Sequence, residues 1–219
     1  MKGILFKPDM IKAIVEGRKT QTRRVIKPQP EKLGDIYEDA SLCYRREGAA
    51  LIWQDGFAIT KSRYQPSETV YIKEAVAIEE GYTDYFAFFE DTTSIFVHPP
   101  ESFISKHFLD RMAKYTARTM PAWAARYFIK IKDVRAERLQ EITEEDAIKE
   151  GCQLIARTIQ PFELKPKPHF TAPERPFTHL DHFIGIWDSI NKPPYDWNSN
   201  PYVWKYSFVK FDKLTLTAK

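Results

Sequence analysis

Two cysteines, eight glycines and no long apolar run limit what this 219-residue chain can be. Cys43 and Cys152 are too few for a disulfide scaffold and fit no metal-ligand spacing. The glycines form no phosphate-cradling loop, no dinucleotide-binding fingerprint and no nucleophile elbow. No stretch of 18 apolar residues occurs, and the short apolar run Gly3 to Phe6 behind Met1-Lys2 is too brief for a signal-peptide core. A cytoplasmic chain with no membrane partner is therefore expected. A strong charge imbalance is also missing: 33 basic and 30 acidic residues leave +3, so any nucleic-acid footprint must be local. The five histidines are scattered, and His179 with His182 finds no third ligand nearby, so neither a metal nor a cofactor is expected.

What is present suits one good-sized domain, residues 1–219. The 43% hydrophobic content is ample for a core, and fifteen prolines with eleven tyrosines are more than a plain helical protein carries. Gly3 to Phe6 reads as a short strand. Asp9 is placed to cap a short helix whose apolar positions are Met10, Ile11, Ile14 and Val15 and whose end is Gly17. Residues 28–67 read as a loop and a hairpin through Leu51-Ile52-Trp53 and Phe57-Ala58-Ile59, turned at Gln54-Asp55-Gly56. Thr69 to Ile78 and Tyr127 to Val134 read as strands. Thr143 opens a helix in a capping-box pattern stopped by Gly151, and Thr178 with Asp181 caps another with the stripe Leu180, Phe183, Ile184, Trp187 and Ile190. Tyr202, Trp204, Tyr206 and Phe208 share one face of a final strand. Residues 80–118 and 155–176 read as insertions. The fold class is α+β, mainly β: a small curved sheet or barrel with peripheral helices.

One segment stands out for chemistry. Val15 to Val25 holds Arg18, Lys19, Thr20, Gln21, Thr22, Arg23 and Arg24 just past a helix end. If extended, Thr20, Thr22 and Arg24 share one face and Lys19, Gln21 and Arg23 the other. So many donors suit an anion or a polar ring, and the guanidinium fork of Arg23 or Arg24 matches phosphate. Thr22 is a nucleophile in need of a base, and Lys19 among cations is pushed toward the neutral form that could serve. The bland alternatives are an exposed basic hairpin and ordinary salt bridges. Glu150, at the unfavourable end of a helix dipole, makes sense facing a cationic pocket; the alternative is a solvated carboxylate. Glu74 sits in an apolar strand and needs a partner. Tyr195 to Asn200 is the best exposed aromatic loop, whereas Trp187 belongs to a helix core stripe.

These residues carry a family resemblance. Gly17 to Arg24 resembles the signature of the ASCH domain, a relative of the PUA RNA-binding domain. Val70 to Glu74, Met120 to Arg126, Leu139 to Gly151, Ile186 to Asn191 and Asn200 to Trp204 follow in the expected order. Together they resemble the longer ASCH proteins typical of phages and prophages. The resemblance implies a PUA-like β-barrel whose cleft faces the signature and binds RNA or a nucleoside or nucleotide. It brings Arg18, Thr20, Gln21, Arg23, Arg24, Glu74, Trp123 and Arg126 into consideration as substrate-binding. One small family member is an amidohydrolase of N4-acetylcytidine with a Lys, a Thr and a Glu as its catalytic set; these fall on Lys19, Thr22 and Glu150. A metal-independent ribonuclease is a further alternative. This chain is about twice as long as that enzyme and carries Arg23 where the enzyme has an apolar residue.

Overall fold

The computed structural model describes residues 1–27, 29, 44–47, 50–53, 58–81, 85–107, 112–154 and 176–212. In chain order its elements are β1 (Lys2–Leu5), α1 (Pro8–Val15), β2 (Gln21–Val25), β3 (Tyr44–Glu47), β4 (Ala50–Trp53), β5 (Ala58–Lys61), β6 (Thr69–Lys73), β7 (Val76–Glu80), β8 (Tyr85–Phe89), β9 (Ser94–Val97), α2 (Glu101–His107), β10 (Met112–Tyr115), β11 (Tyr127–Arg138), α3 (Glu144–Lys149), α4 (His179–Ile190) and β12 (Tyr202–Asp212). The class is α+β, mainly β. Among the described residues the strand orders are open and none closes into a barrel. None of the helices is long and apolar enough to cross a membrane. The chain divides into two compact units: Met1–Thr20, Ser62–Val134 and Tyr206–Lys219 form the first, Gln21–Lys61 and Arg135–Lys205 the second.

In the first unit, β1 pairs parallel with β6, and β6 pairs antiparallel with β11. A second, antiparallel sheet runs in the order β10-β7-β8-β9. Its strands β8, β9 and β10 lie in the stretch 80–118 that the sequence suggested as an insertion, and β7 leads into it. Alternation puts Val76, Ile78, Ala87, Phe89 and Val97 on one buried face, packed with Phe103 of α2, Tyr71 and Phe128. Each Val, Ile or Phe among them contributes about 1.5–3 kcal/mol by leaving water. The single strand expected over Thr69 to Ile78 is broken at Glu74-Ala75. Glu74 stands in that break, and both of its carboxylate oxygens accept from Arg126.

Helix α1 starts two positions earlier than expected. Lys7 is the cap residue and Pro8 opens the helix, its fixed φ suiting the first turn, so Asp9 lies in the first turn instead of capping it. Ile11, Ala13 and Ile14 are the buried face. Gly17 ends the helix with φ +77°, the left-handed conformation in which a Cβ clashes with its own backbone.

In the second unit, β4 pairs antiparallel with β3 on one side, which was not expected, and on the other with β5, as the hairpin expectation required. Its turn at Gln54-Asp55-Gly56, with Phe57, lies outside the described residues, as does 155–175. Thr178 and Asp181 form the expected capping box of α4. Phe183 and Trp187 bury against Leu139, Ile142, Ala147, Cys152 and Val203, whereas Ile190, expected on the same stripe, is 49% exposed. Glu144 ties α3 to α4 by accepting the backbone N–H groups of His179 (2.8 Å) and Leu180 (3.0 Å), a carboxylate at the positive end of a helix. Residues 202–209 of β12 alternate as expected, except that Val203 is also buried, inside this core.

A Cβ added to Gly17 would meet nothing within 4 Å, so its replacement isolates the backbone effect. Gly17→Ala is expected to lower unfolding free energy by about 1–2 kcal/mol and Gly17→Asn by less. Urea unfolding of the three proteins measures the order.

Candidate functional site

The backbone past α1 is set by hydrogen bonds. Both Arg18 and Lys19 donate their N–H groups to the carbonyl of Ala13, at 2.9 and 3.0 Å, so the chain leaves the helix in a fixed direction. From Gln21 it runs extended as β2. Ile26 N–H donates to the Tyr202 carbonyl (3.1 Å), and the Gln29 side chain brackets Tyr202, accepting its N–H (2.7 Å) and donating to its carbonyl (3.0 Å).

Arg23 is the centre of the second unit's polar chemistry. Its side chain is fully buried. Nε donates to Glu137 Oε1 (2.8 Å), Nη2 to Asp146 Oδ2 (2.7 Å) and Nη1 to Glu150 Oε1 (3.1 Å). Lys205 Nζ donates to the same Asp146 oxygen (2.8 Å) and lies 3.6 Å from Glu137. Burial alone would lower the Arg23 pKa; Glu150, Glu137 and Asp146 override it and raise it further above its ordinary value. Burial likewise opposes ionisation of Asp146, but the hydrogen bond from Lys205 and the charge of Arg23 hold its carboxyl below the usual value. The guanidinium that suggested a phosphate clamp is thus committed to carboxylates. Glu150, proposed from its awkward place at the end of α3, is one of them.

Three neighbours of Arg23 complete the strand. Thr22 is 1% exposed, and its Oγ1 accepts from Arg24 Nη1 at 3.1 Å, matching the shared face expected of these two residues. Arg24, half-buried, also donates to the Arg23 carbonyl (3.2 Å). Gln21 is buried, and its Oε1 is the one buried side-chain nitrogen or oxygen among the described residues with no hydrogen-bond partner.

The remaining sequence-predicted residues lie in the first unit. Lys19 is 2% exposed with Nζ 5.9 Å from the Phe6 ring centroid. Arg18 pairs with Glu16, and the Thr20 carbonyl accepts from Phe208 N–H (2.9 Å). Glu74 grips Arg126 with both oxygens, at 2.9 Å to Nε and 2.6 Å to Nη2. Arg126 also holds Asp91 (3.0 and 2.8 Å) and Thr93, with its guanidinium 4.0 Å from the Phe89 centroid. The hydrogen bond from Arg126 takes the Asp91 carboxyl down to about 2. Trp123 does not join this group; its ring meets Phe103 edge-on at 5.0 Å in the core. The aromatic loop at 195–200, expected as an exposed contact, is pinned to its surroundings. Asp188 accepts Trp197 N–H (2.8 Å), Gln140 binds the Trp197 carbonyl (2.9 Å), and Lys27 lies 4.4 Å from the Tyr195 ring.

Glu137, Asp146, Lys205 and Asp91 were not anticipated. The signal for Glu137 and Lys205 was a charge inside a strand, the same signal that singled out Glu74. The Asp146 backbone N–H donates to the capping Thr143 side chain, and its carboxylate reaches Arg23 and Lys205.

Removing Arg23 takes a buried guanidinium away from three carboxylates. Arg23→Met is expected to cost about 3–5 kcal/mol of unfolding free energy, and Glu150→Gln, which removes one of three partners, about 1.5–3 kcal/mol. The sign with pH follows from the lowered Asp146 value. Its contribution is complete above the unfolded-state value of about 4 and is lost as the pH falls below that. Asp146→Asn should therefore show a shallower loss of stability than the parent on acidification, measured by urea unfolding in steps from neutral pH downward.

Comparison of the chain with protein-family models, with curated proteins and with solved structures found no match.

Proposed function

We propose that this chain is an ASCH-type protein with a PUA-like fold that binds RNA or a nucleotide through the segment Arg18 to Arg24. The observation that carries the reading is Gln21. A buried amide oxygen without a partner costs on the order of 1–3 kcal/mol, and such atoms in a folded chain call for an explanation. An incoming N–H, such as the amino or imino group of a base, would satisfy it. Arg24, half-buried beside Thr22, supplies the charge for a backbone phosphate. Arg23 supports the segment from behind instead of touching the ligand. The bland alternative, a self-solvating basic hairpin, sits poorly with Lys19, Gln21, Thr22 and Arg23 all being buried.

A second reading, amide hydrolysis on an acylated nucleoside such as N4-acetylcytidine, has one observation in its favour. Thr22 Oγ1 accepts a hydrogen bond from a guanidinium, and a cationic donor stabilises the alkoxide that a nucleophilic threonine must become. In that reading Thr22 attacks the acyl carbon as Lys19 takes the hydroxyl proton, the C–N bond breaks to leave an acyl-threonine ester, and water then hydrolyses that ester to regenerate Thr22. Glu150 orients Lys19 or returns a proton to the departing amine. The metal-independent ribonuclease reading has no comparable support.

Fluorescence anisotropy with a labelled single-stranded RNA of about 12 nucleotides, within the usual site sizes, tests binding. The expected result is saturable binding, weakened by Gln21→Leu and by Arg24→Ala. The Arg24→Ala change should reduce the dependence of log Kd on log salt by about 0.7, one single-strand phosphate contact. Binding that neither variant alters sinks the proposal. For the second reading, purified protein is incubated with N4-acetylcytidine and cytidine release is followed. Turnover should fall about 10²–10⁴-fold in Lys19→Ala, the usual contribution of a general base, and absence of turnover by the parent on acylated nucleosides removes it.

A further inference from the structure

A cleft of about 660 Å³ opens in the first unit, between one flank of α1 and the strand ends that carry Glu74 and Arg126. The volume lies within the range of small-molecule sites. Its apolar surface comes from Phe6, Ile11 and Val15 on one side and Ala75 and Tyr127 on the other. The polar groups are not balanced. Asp9, Glu16, Glu74, Glu90 and Asp91 face Lys12, Lys73 and Arg126, five carboxylates against three cations.

Counting donors and acceptors sharpens this. Arg126 donates from Nε and Nη2 to Glu74 and from Nη1 to Asp91 and Thr93, with Nη2 also 2.8 Å from Asp91 Oδ2, so its guanidinium is already engaged by two carboxylates. Lys73 Nζ is held by the Arg118 carbonyl at 2.6 Å. Glu16 is paired with Arg18. Lys12 remains as a donor. On the acceptor side, Asp9 and Glu90 are exposed with no hydrogen-bond or ion-pair partner among the described residues, and each Glu74 oxygen retains a lone pair beyond its bond to Arg126. Acceptors therefore exceed donors at the rim, and the floor is apolar.

We propose that this cleft binds a small organic cation, an amine or amidine carried on an apolar or aromatic body. The body lies against Phe6, Ile11 and Tyr127, and the cationic N–H groups reach Asp9, Glu90 and the spare lone pairs of Glu74. An anion of the same shape meets repulsion and only Lys12. This site adjoins the segment proposed for RNA through the Glu16–Arg18 pair and the Phe6–Lys19 contact, but neither proposal depends on the other.

The test uses the full chain and three probes of one shape: benzamidine, neutral benzamide and benzoate, titrated by isothermal calorimetry or ligand-observed NMR at low ionic strength. The expected order is benzamidine tightest, benzamide weaker, benzoate undetectable. Asp9→Asn with Glu90→Gln should weaken benzamidine about tenfold, two exposed charge contacts at the upper end of their usual strength. Glu145→Gln, exposed on α3, should leave it unchanged. Equal affinity for all three probes, preference for benzoate, or a double variant that binds benzamidine like the parent overturns the proposal. So does absence of saturable benzamidine binding at millimolar concentration.

Discussion

A guanidinium that is fully buried cannot be left alone, and much of the second unit is arranged around that fact. Arg23 enters from β2, Glu137 from β11, Asp146 and Glu150 from α3, and Lys205 from β12 contributes a second cation to the same carboxylates. Four elements distant in sequence are thereby registered on one side chain. The desolvation of such a charge is several kcal/mol and is offset only when the surrounding oxygens are well placed. That demand explains local features that look arbitrary in isolation. Asp146 sits at the third position of α3, where a cap partner is usual, and is drawn inward. Glu150 occupies the unfavourable end of the helix dipole because Arg23 compensates it there.

The first unit uses the same device with a different consequence. Arg126 is saturated by Glu74, Asp91 and Thr93 and lies 4.0 Å from the Phe89 ring centroid, fastening the break after β6 to the β8–β9 turn. Asp91 is half exposed, so solvent screens this pair more than the one in the second unit. The break at Glu74-Ala75 is where a carboxylate meets that arginine.

Much of the secondary structure was legible because it is local. The helix ended by Gly17, the capping box of Thr178 and Asp181, and the alternation of β12 all follow from residues within one or two turns of each other. The break after Lys73 was not, because Thr69 to Ile78 is rich enough in strand-forming residues to read as one strand, and the partner of Glu74 at the break, Arg126, is 52 residues away. The polar cluster was visible as a cluster, and Glu150 was visible as an anomaly. What could not be read was which arginine meets which carboxylate. Arg23 and Arg24 are adjacent and chemically identical, yet one is caged and the other bonds Thr22 from a half-buried position. The decision lies with Glu137 and Asp146, more than a hundred residues away.

That difference also narrows what recognition at the segment can consist of. Arg23 is enclosed by carboxylates, Arg18 is paired with Glu16 and Arg24 bonds Thr22, and a single phosphate contact contributes little to affinity at physiological salt. A ligand held there must draw on directional hydrogen bonding in a dry setting. The groups suited to that are Gln21, with its unpartnered oxygen, and Thr22, with its polarised hydroxyl. Buried, oriented acceptors discriminate between hydrogen-bonding partners far better than they attract charge, because a wrong partner leaves them unsatisfied. The proposed site therefore reads a polar ring more than a phosphate backbone, and its affinity should be governed by the chemistry of the ring edge and only weakly by salt.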